Sequence, residues 1–164
     1  MESKGVEEEF EVSQGKSIGE LWREAAWFIT HTALAIVAMV ASIALYSLAH
    51  PSPTADLPKL IGTALAFIGP LFFGFLIARW KHNDTARYVW ISGIIIFAIV
   101  CVWVIDLPTG PGLCEHCLVL ERLWRTFFDI EHGSGLMAGE GLMVGSWVPL
   151  SLFGYAIGAR FGLD

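Results

Sequence analysis

Four long runs of apolar residues, separated by polar stretches, dominate the pattern along this chain. They cover residues 27–49, 60–78, 88–105 and 135–159. The second and third runs lack the regularly spaced polar positions that mark half-buried strands and helices in soluble proteins. A helix needs about 20 apolar residues to cross a hydrocarbon core about 30 Å thick. The pattern therefore predicts four transmembrane helices.

The stretch between the third and fourth runs has a different pattern. Within residues 115–131, leucine, tryptophan and phenylalanine recur at steps of three and four, and charged residues fall largely on the opposite face. This stretch carries too many charges to cross a bilayer, so it predicts an amphipathic helix on the outer membrane surface. The predicted fold is an all-α polytopic membrane protein with four transmembrane helices and one outer interfacial helix.

The sequence divides into an N-terminal tail and a predicted membrane domain. Residues 1–16 are polar and acidic, which is typical of a flexible or docked tail, and residues 17–164 form the predicted transmembrane domain. Ser17 and Glu20 have the spacing of a capping box, which predicts a helix that starts there and continues into the first span.

The basic residues sort between alternate loops. If the N-terminus is cytoplasmic, the inner side holds Lys4, Lys16, Arg23, Arg79, Lys81, Arg87 and Arg160, and the outer side holds Lys59, Arg122 and Arg125. The positive-inside rule then predicts a multi-pass protein of the plasma or inner membrane with both termini in the cytoplasm. Tyr155 is expected to anchor at the inner interface, and Trp147 is expected to lie deep in the fourth span.

The composition excludes one class of partner and favours another. Apolar residues make up 55% and charged residues 16% of the chain, and the net charge is −6. No basic stripe is present that could neutralise phosphates, which argues against a nucleic-acid partner. The predicted partners are the lipid bilayer and either other membrane subunits or further copies of this chain.

Cys114 and Cys117 form the sharpest local motif, C-E-H-C, on the predicted outer side. Two cysteines at this spacing could form a structural disulfide, remain as thiols, or perform redox chemistry. A metal site is the further alternative, in which His116 and His132 would complete a Cys2His2 set. Cys101 lies inside the third span and is interpreted as a small apolar filler.

In span count, size and the outer Cys114/Cys117 pair, the chain resembles quinone-linked thiol oxidoreductases of the disulfide-bond-forming and vitamin K epoxide reductase types. The resemblance implies a membrane thiol-redox function. Those families also use a second cysteine pair to relay electrons, and this chain has only three cysteines. Thiol-redox chemistry therefore stays an alternative function.

Two ionisable residues lie inside the predicted spans. Glu140 could bind a proton, or it could meet water, Arg122 or Arg125 near the outer surface. His31 could ligate a cofactor, or it could be satisfied by simple hydrogen bonding, for which Thr30 and Thr32 are nearby candidates. The sequence specifies no cofactor.

Gly154, Gly158 and Gly162 repeat at intervals of four residues near the C-terminus. Small residues at this spacing let two helix backbones approach closely. The partner could be another helix of the same chain or another subunit, in which case the glycines form an assembly face.

These features favour a non-enzymatic function and leave an enzymatic one open. The predicted function is that of a structural or accessory subunit of a larger membrane complex. The alternatives are a small transporter or channel, for which His31, Glu140, Thr63, Pro70 and Pro149 would have to face one cavity, and the thiol-redox protein.

Overall fold

The computed structural model describes residues 17–51, 59–106, 117–127 and 146–164, and within these ranges it contains helices and no strands. Helix α1 covers Ile18–Ala49. The predicted capping box is confirmed: the Glu20 N–H donates to Ser17 Oγ over 3.3 Å, and the Ser17 N–H donates to Glu20 Oε2 over 3.2 Å. These bonds start the helix well before residue 27, so the lead-in and the first span form one helix.

The second and third spans are also helical. Helix α2 covers Lys59–Trp80, and helix α3 covers Trp90–Asp106 after a short 3-10 helix at Asp84–Tyr88. The first and last residues of α2 and of α3 agree with those of the predicted spans to within two residues. Three stretches, Ile18–Ala49, Leu60–Trp80 and Asp84–Trp103, are long and apolar enough to cross a membrane. The described part of the chain is therefore helical and contains three such helices.

The fourth predicted span differs from the other three. Helix α5 covers Trp147–Leu163, so it ends beyond residue 159, and residues 135–145 lie outside the described part of the chain. With 17 residues, α5 is about 26 Å long at 1.5 Å per residue, less than a hydrocarbon core of about 30 Å. Within the residues that the structure describes, three helices are therefore of spanning length, whereas the sequence predicted four.

Helix α5 nevertheless lies at the centre of the packing. It contacts α2 along most of its length and touches α3 and α1 on other sides. Its side chains Leu152 and Tyr155 are fully buried, together with Met39 of α1. The largest part of the apolar core therefore forms around α5.

Helices α2 and α5 run parallel to each other. Gly154 of α5 lies against Phe67 of α2, and Gly162 lies against Phe75 and Ala78. The C-terminal ends of α2 and α5 consequently lie together with the 3-10 helix and the start of α3. We call this the basic end, because it carries Arg23, Arg79, Lys81, Arg87 and Arg160.

The predicted amphipathic helix is shorter than expected in the described residues. Helix α4 covers Val119–Phe127, whereas residues 115–116 and 128–131 of the predicted element lie outside the described ranges. Leu123 packs beside Val100 of α3, and Arg122 Nη1 donates to the carbonyl of Ile105 over 3.2 Å. Helix α4 is thus held against the end of α3 that lies away from the basic end. The acidic tail, residues 1–16, lies outside the described residues.

Candidate functional site

A buried histidine and tyrosine form the most polar contact inside the bundle. His31 of α1 and Tyr155 of α5 are 2% and 0% exposed, and His31 Nδ1 lies 2.7 Å from Tyr155 Oη. Small residues follow His31 on the same face of α1: Ala35 and Ala38 are buried, and Ser42 lies against Gly69 of α2. This narrow face lets α1 approach closely enough for the hydrogen bond to form.

An aromatic ring and an ammonium group cover the pair on the side of the basic end. The Trp27 ring lies 5.8 Å from the His31 ring, and Lys81 Nζ lies 3.9 Å from the centre of the Trp27 ring. Such a cation–π contact contributes about 0.5–1 kcal/mol at an exposed site. Trp27 therefore separates the buried imidazole from the charged surface, and Lys81 holds the indole in place.

The second ring nitrogen of the histidine, Nε2, is buried and has no hydrogen-bond partner in the ranges that the structure describes. An imidazole nitrogen in this state is chemically suited to ligate a metal or exchange a proton. Among the described residues, however, no three His, Cys, Asp or Glu side chains are close enough together to hold a metal ion. The contact that the pair does make joins α1 to α5 in an apolar environment.

The threonines beside His31 bond elsewhere. Thr30 Oγ1 donates to the carbonyl of Ala26 over 2.8 Å. Thr32 Oγ1 donates to the carbonyl of Phe28 and lies 3.1 Å from Ser92 Oγ of α3. The expectation that these hydroxyl groups satisfy the imidazole is therefore corrected. Tyr155 takes that role, and Thr32 joins α1 to α3.

A second polar contact joins α5 to α2 near the other end of the bundle. Trp147 Nε1 donates to Thr63 Oγ1 over 3.0 Å. Trp147 precedes Tyr155 by eight residues, which places the two contacts about 12 Å apart along the axis of α5. Trp147 is buried in the first turn of α5, and its expected position deep in a membrane span stays a prediction.

The glycine repeat forms the seam between α5 and α2. A β-carbon at Gly154 or Gly158 would collide with the carbonyl oxygens of Phe67 and Leu71, and one at Gly162 would lie 2.6 Å from that of Phe75. These three glycines are buried against a helix of the same chain. Of the two alternatives that the sequence left open, these contacts support packing within the chain, because α2 occupies the glycine face.

Four of the predicted site residues belong to parts of the chain that the structure does not describe. Cys114, His116, His132 and Glu140 lie outside the described residues, so the predicted disulfide, redox pair, Cys2His2 site and proton-binding carboxylate remain predictions. Cys117 lies two residues before the start of α4, on the side of α3 away from the basic end. Cys101 is a free, half-buried cysteine within α3, in agreement with its interpretation as an apolar filler.

Sequence reasoning missed Tyr155, which was expected to anchor at the membrane interface and is instead fully buried. A signal for its burial does exist in the sequence. Ser151, Tyr155, Gly158 and Gly162 follow at steps of four, three and four, which places them on one face of a helix. A face rich in glycine and serine is a packing face in a membrane helix, so the phenol had to be buried with it.

Comparison of the chain with protein-family models, curated proteins and solved structures finds no match.

Proposed function

We propose that this chain is a four-span, non-catalytic subunit of a larger membrane assembly, with both ends of the polypeptide on the cytoplasmic side. The observation that carries the proposal is that three side-chain contacts inside the bundle join different helices, while many large apolar side chains are exposed on the outer faces. His31 Nε2 is the buried imidazole nitrogen that these contacts leave unpaired among the described residues. His31 bonds to Tyr155, Thr32 to Ser92, and Trp147 to Thr63. These pairs stabilise the bundle instead of presenting polar groups to a substrate.

The packing of α5 supports a fourth crossing. Its indole at Trp147 reaches Thr63 in the second turn of α2, and Gly162 reaches Ala78 near the end of α2. Helix α5 therefore covers nearly the same depth as α2, which is itself of spanning length. Helix α5 is shorter than the hydrocarbon core is thick. Local thinning of the bilayer or a few further apolar residues before Trp147 would remove this difference at a modest cost in free energy.

The charge distribution supports the orientation. The basic end gathers two side chains from the end of α2, one from the lead-in of α1, one from the 3-10 helix and one from α5. Short cytoplasmic loops are enriched in lysine and arginine, and the connection from α2 to α3 is short. We therefore propose that the basic end lies in the cytoplasm and α4 on the opposite side.

Helix α1 is the proposed partner surface. Of its 32 residues only four are buried, namely His31, Ala35, Ala38 and Met39, so most of its circumference faces outward. The lead-in extends beyond the bundle with Ile18, Leu21 and Trp22 exposed. An apolar helix from a partner subunit could pack along this face within the membrane and along the lead-in at its surface.

Transport receives less support from the described contacts. A transporter needs polar groups that face a common aqueous path. His31 and Thr63 instead belong to separate pairs about 12 Å apart along α5. Pro70 is fully buried within α2, and Pro149 is buried within α5.

Site-specific photo-crosslinking in native membranes tests the subunit proposal. A photoreactive amino acid replaces Val37 or Leu45, which are 59% and 68% exposed on α1. Ile99, which is 61% exposed on α3, is the matched control position. We expect the α1 positions to capture a discrete second polypeptide and the control to capture lipid alone. Capture of lipid alone at all three positions, or of a second copy of this chain alone, would contradict the proposal.

A further inference from the structure

A cleft of about 400 Å³ opens at the basic end between the 3-10 helix and the C-terminus of α5. Its walls come from three elements of the fold: Arg87, Tyr88, Trp90, Arg160, Leu163 and Asp164 line it. None of these residues takes part in the polar pairs that hold the helices together. The cleft is therefore separate from the His31–Tyr155 site.

Two arginines from different parts of the chain line this cleft. Arg87 lies in the last turn of the 3-10 helix, and Arg160 lies in the last turn of α5, where a cation is favoured by the helix dipole. Arg87 Nη1 is 3.7 Å from Asp84 Oδ1, but both side chains are largely exposed, and an exposed pair of this kind is weak and easily exchanged. Asp164 supplies the single carboxylate among the lining side chains.

The other walls of the cleft are apolar or aromatic. Tyr88 and Trp90 are 44% and 41% exposed, and Leu163 is half-buried beside them. Trp90 is the first residue of α3, which places these rings where the apolar part of that helix begins. Tyrosine and tryptophan are favoured at this depth because their rings contact acyl chains while their polar atoms reach the headgroups.

The lining combines cationic side chains with aromatic and apolar surface. Guanidinium groups bind phosphate through paired N–H donors, and basic clefts between helices on the cytoplasmic side suit anionic headgroups. The Arg87 guanidinium carbon lies 4.9 Å from the centre of the Tyr88 ring, so that ring already has a cationic neighbour. A free phosphate ion would use the arginines but would make no contact with the apolar surface of Trp90 and Leu163. A ligand with a phosphate group above an acyl chain would use both surfaces.

We propose that this cleft binds the phosphate group of an anionic phospholipid from the cytoplasmic leaflet. The inference rests on the membrane orientation in the proposed function but not on the partner subunit. An isolated chain that binds no partner polypeptide would still bind the lipid. Failure to find a partner and failure to bind lipid are therefore separate results.

The test uses the full chain in lipid nanodiscs or mild detergent, titrated with phosphatidylglycerol or phosphatidylcholine and followed by native mass spectrometry. The variant R87Q/R160Q removes both cleft arginines. The control R23Q/R79Q removes two exposed arginines from the same end but outside the cleft. We expect the cleft variant to lose phosphatidylglycerol affinity by about tenfold or more and the control by less than about threefold. Phosphatidylcholine binding should be weak and unchanged in both.

Two further measurements keep the result decisive. D164N removes the opposing carboxylate and should tighten phosphatidylglycerol binding, while thermal unfolding should show that all three variants remain folded. Equal losses in the cleft variant and the control would overturn the proposal in favour of diffuse surface charge. Displacement of the lipid by millimolar inorganic phosphate would overturn it in favour of a site for the free ion.

Discussion

Helices α1 and α5 are both rich in apolar residues, yet they differ greatly in the share of their residues that is buried in the bundle. Eleven of the 17 residues of α5 are buried, compared with four of the 32 residues of α1. In water such a difference would follow from hydrophobicity, but lipid is as apolar as a leucine side chain. Burial among apolar helices therefore depends on close packing and polar contacts, and α5 has more of both.

The comparison shows which residues build the bundle. On α5, three glycines let the helix lie directly against the backbone of α2, and Trp147 and Tyr155 bond to two different neighbours. On α1, the buried face consists of His31, the small residues Ala35 and Ala38, and Met39. The remaining surface of α1 is largely exposed, and the proposed function assigns it to lipid or a partner.

Replacing a glycine between α2 and α5 with a large residue should reduce the stability of the bundle more than a change in the His31–Tyr155 pair or on the outer face of α1. We expect Gly158→Leu to destabilise the bundle by about 3 kcal/mol or more, because the new side chain would displace the backbone of α2 at Leu71. Thermal unfolding in detergent, followed by circular dichroism, measures the loss. Gly19→Ala is the control, since a β-carbon there meets nothing within 4 Å. Retention of the wild-type unfolding temperature in Gly158→Leu would mean that α2 and α5 are not in contact.

Removal of the phenol from the buried pair should have an intermediate effect. Tyr155→Phe keeps the ring but takes the hydrogen-bond partner from His31 Nδ1, so we expect a loss of about 1–2 kcal/mol. The free energy of unfolding in bicelles provides the measurement, with Tyr88→Phe as an exposed control. Combining Tyr155→Phe with His31→Leu should then cost less than the sum of the two changes. Strict additivity would show that the two side chains act independently.

Truncation of the outer face of α1 should have the smallest effect on the isolated chain. We expect Val37→Ala to change the free energy of unfolding by less than about 0.5 kcal/mol, because this side chain is 59% exposed and lies outside the buried face. The same unfolding assay applies. A loss comparable to that of Tyr155→Phe would show that α1 is packed on this face within the monomer, which would remove it as a partner surface.

The sequence predicted three of the long helices because each is an uninterrupted apolar run with clear polar boundaries. It also predicted the start of α1, where Ser17 and Glu20 carry the signal locally. The sequence did not identify the helix that packs against the glycine repeat, since the spacing shows that a helix approaches closely but not which helix it is. The site at Tyr155 was missed because a tyrosine near a helix end normally favours the interface, and only its common face with Gly158 and Gly162 indicates burial.

The central claim is that α5 crosses the membrane parallel to α2, and the side on which Asp164 lies tests it most directly. Single cysteines at His82, Leu118 and Asp164, in a background without the three native cysteines, would be labelled in sealed membranes with a reagent that cannot cross them. All three positions are exposed. We predict that positions 82 and 164 react from the cytoplasmic side and position 118 from the opposite side. Reaction of position 164 from the same side as position 118 would contradict the account.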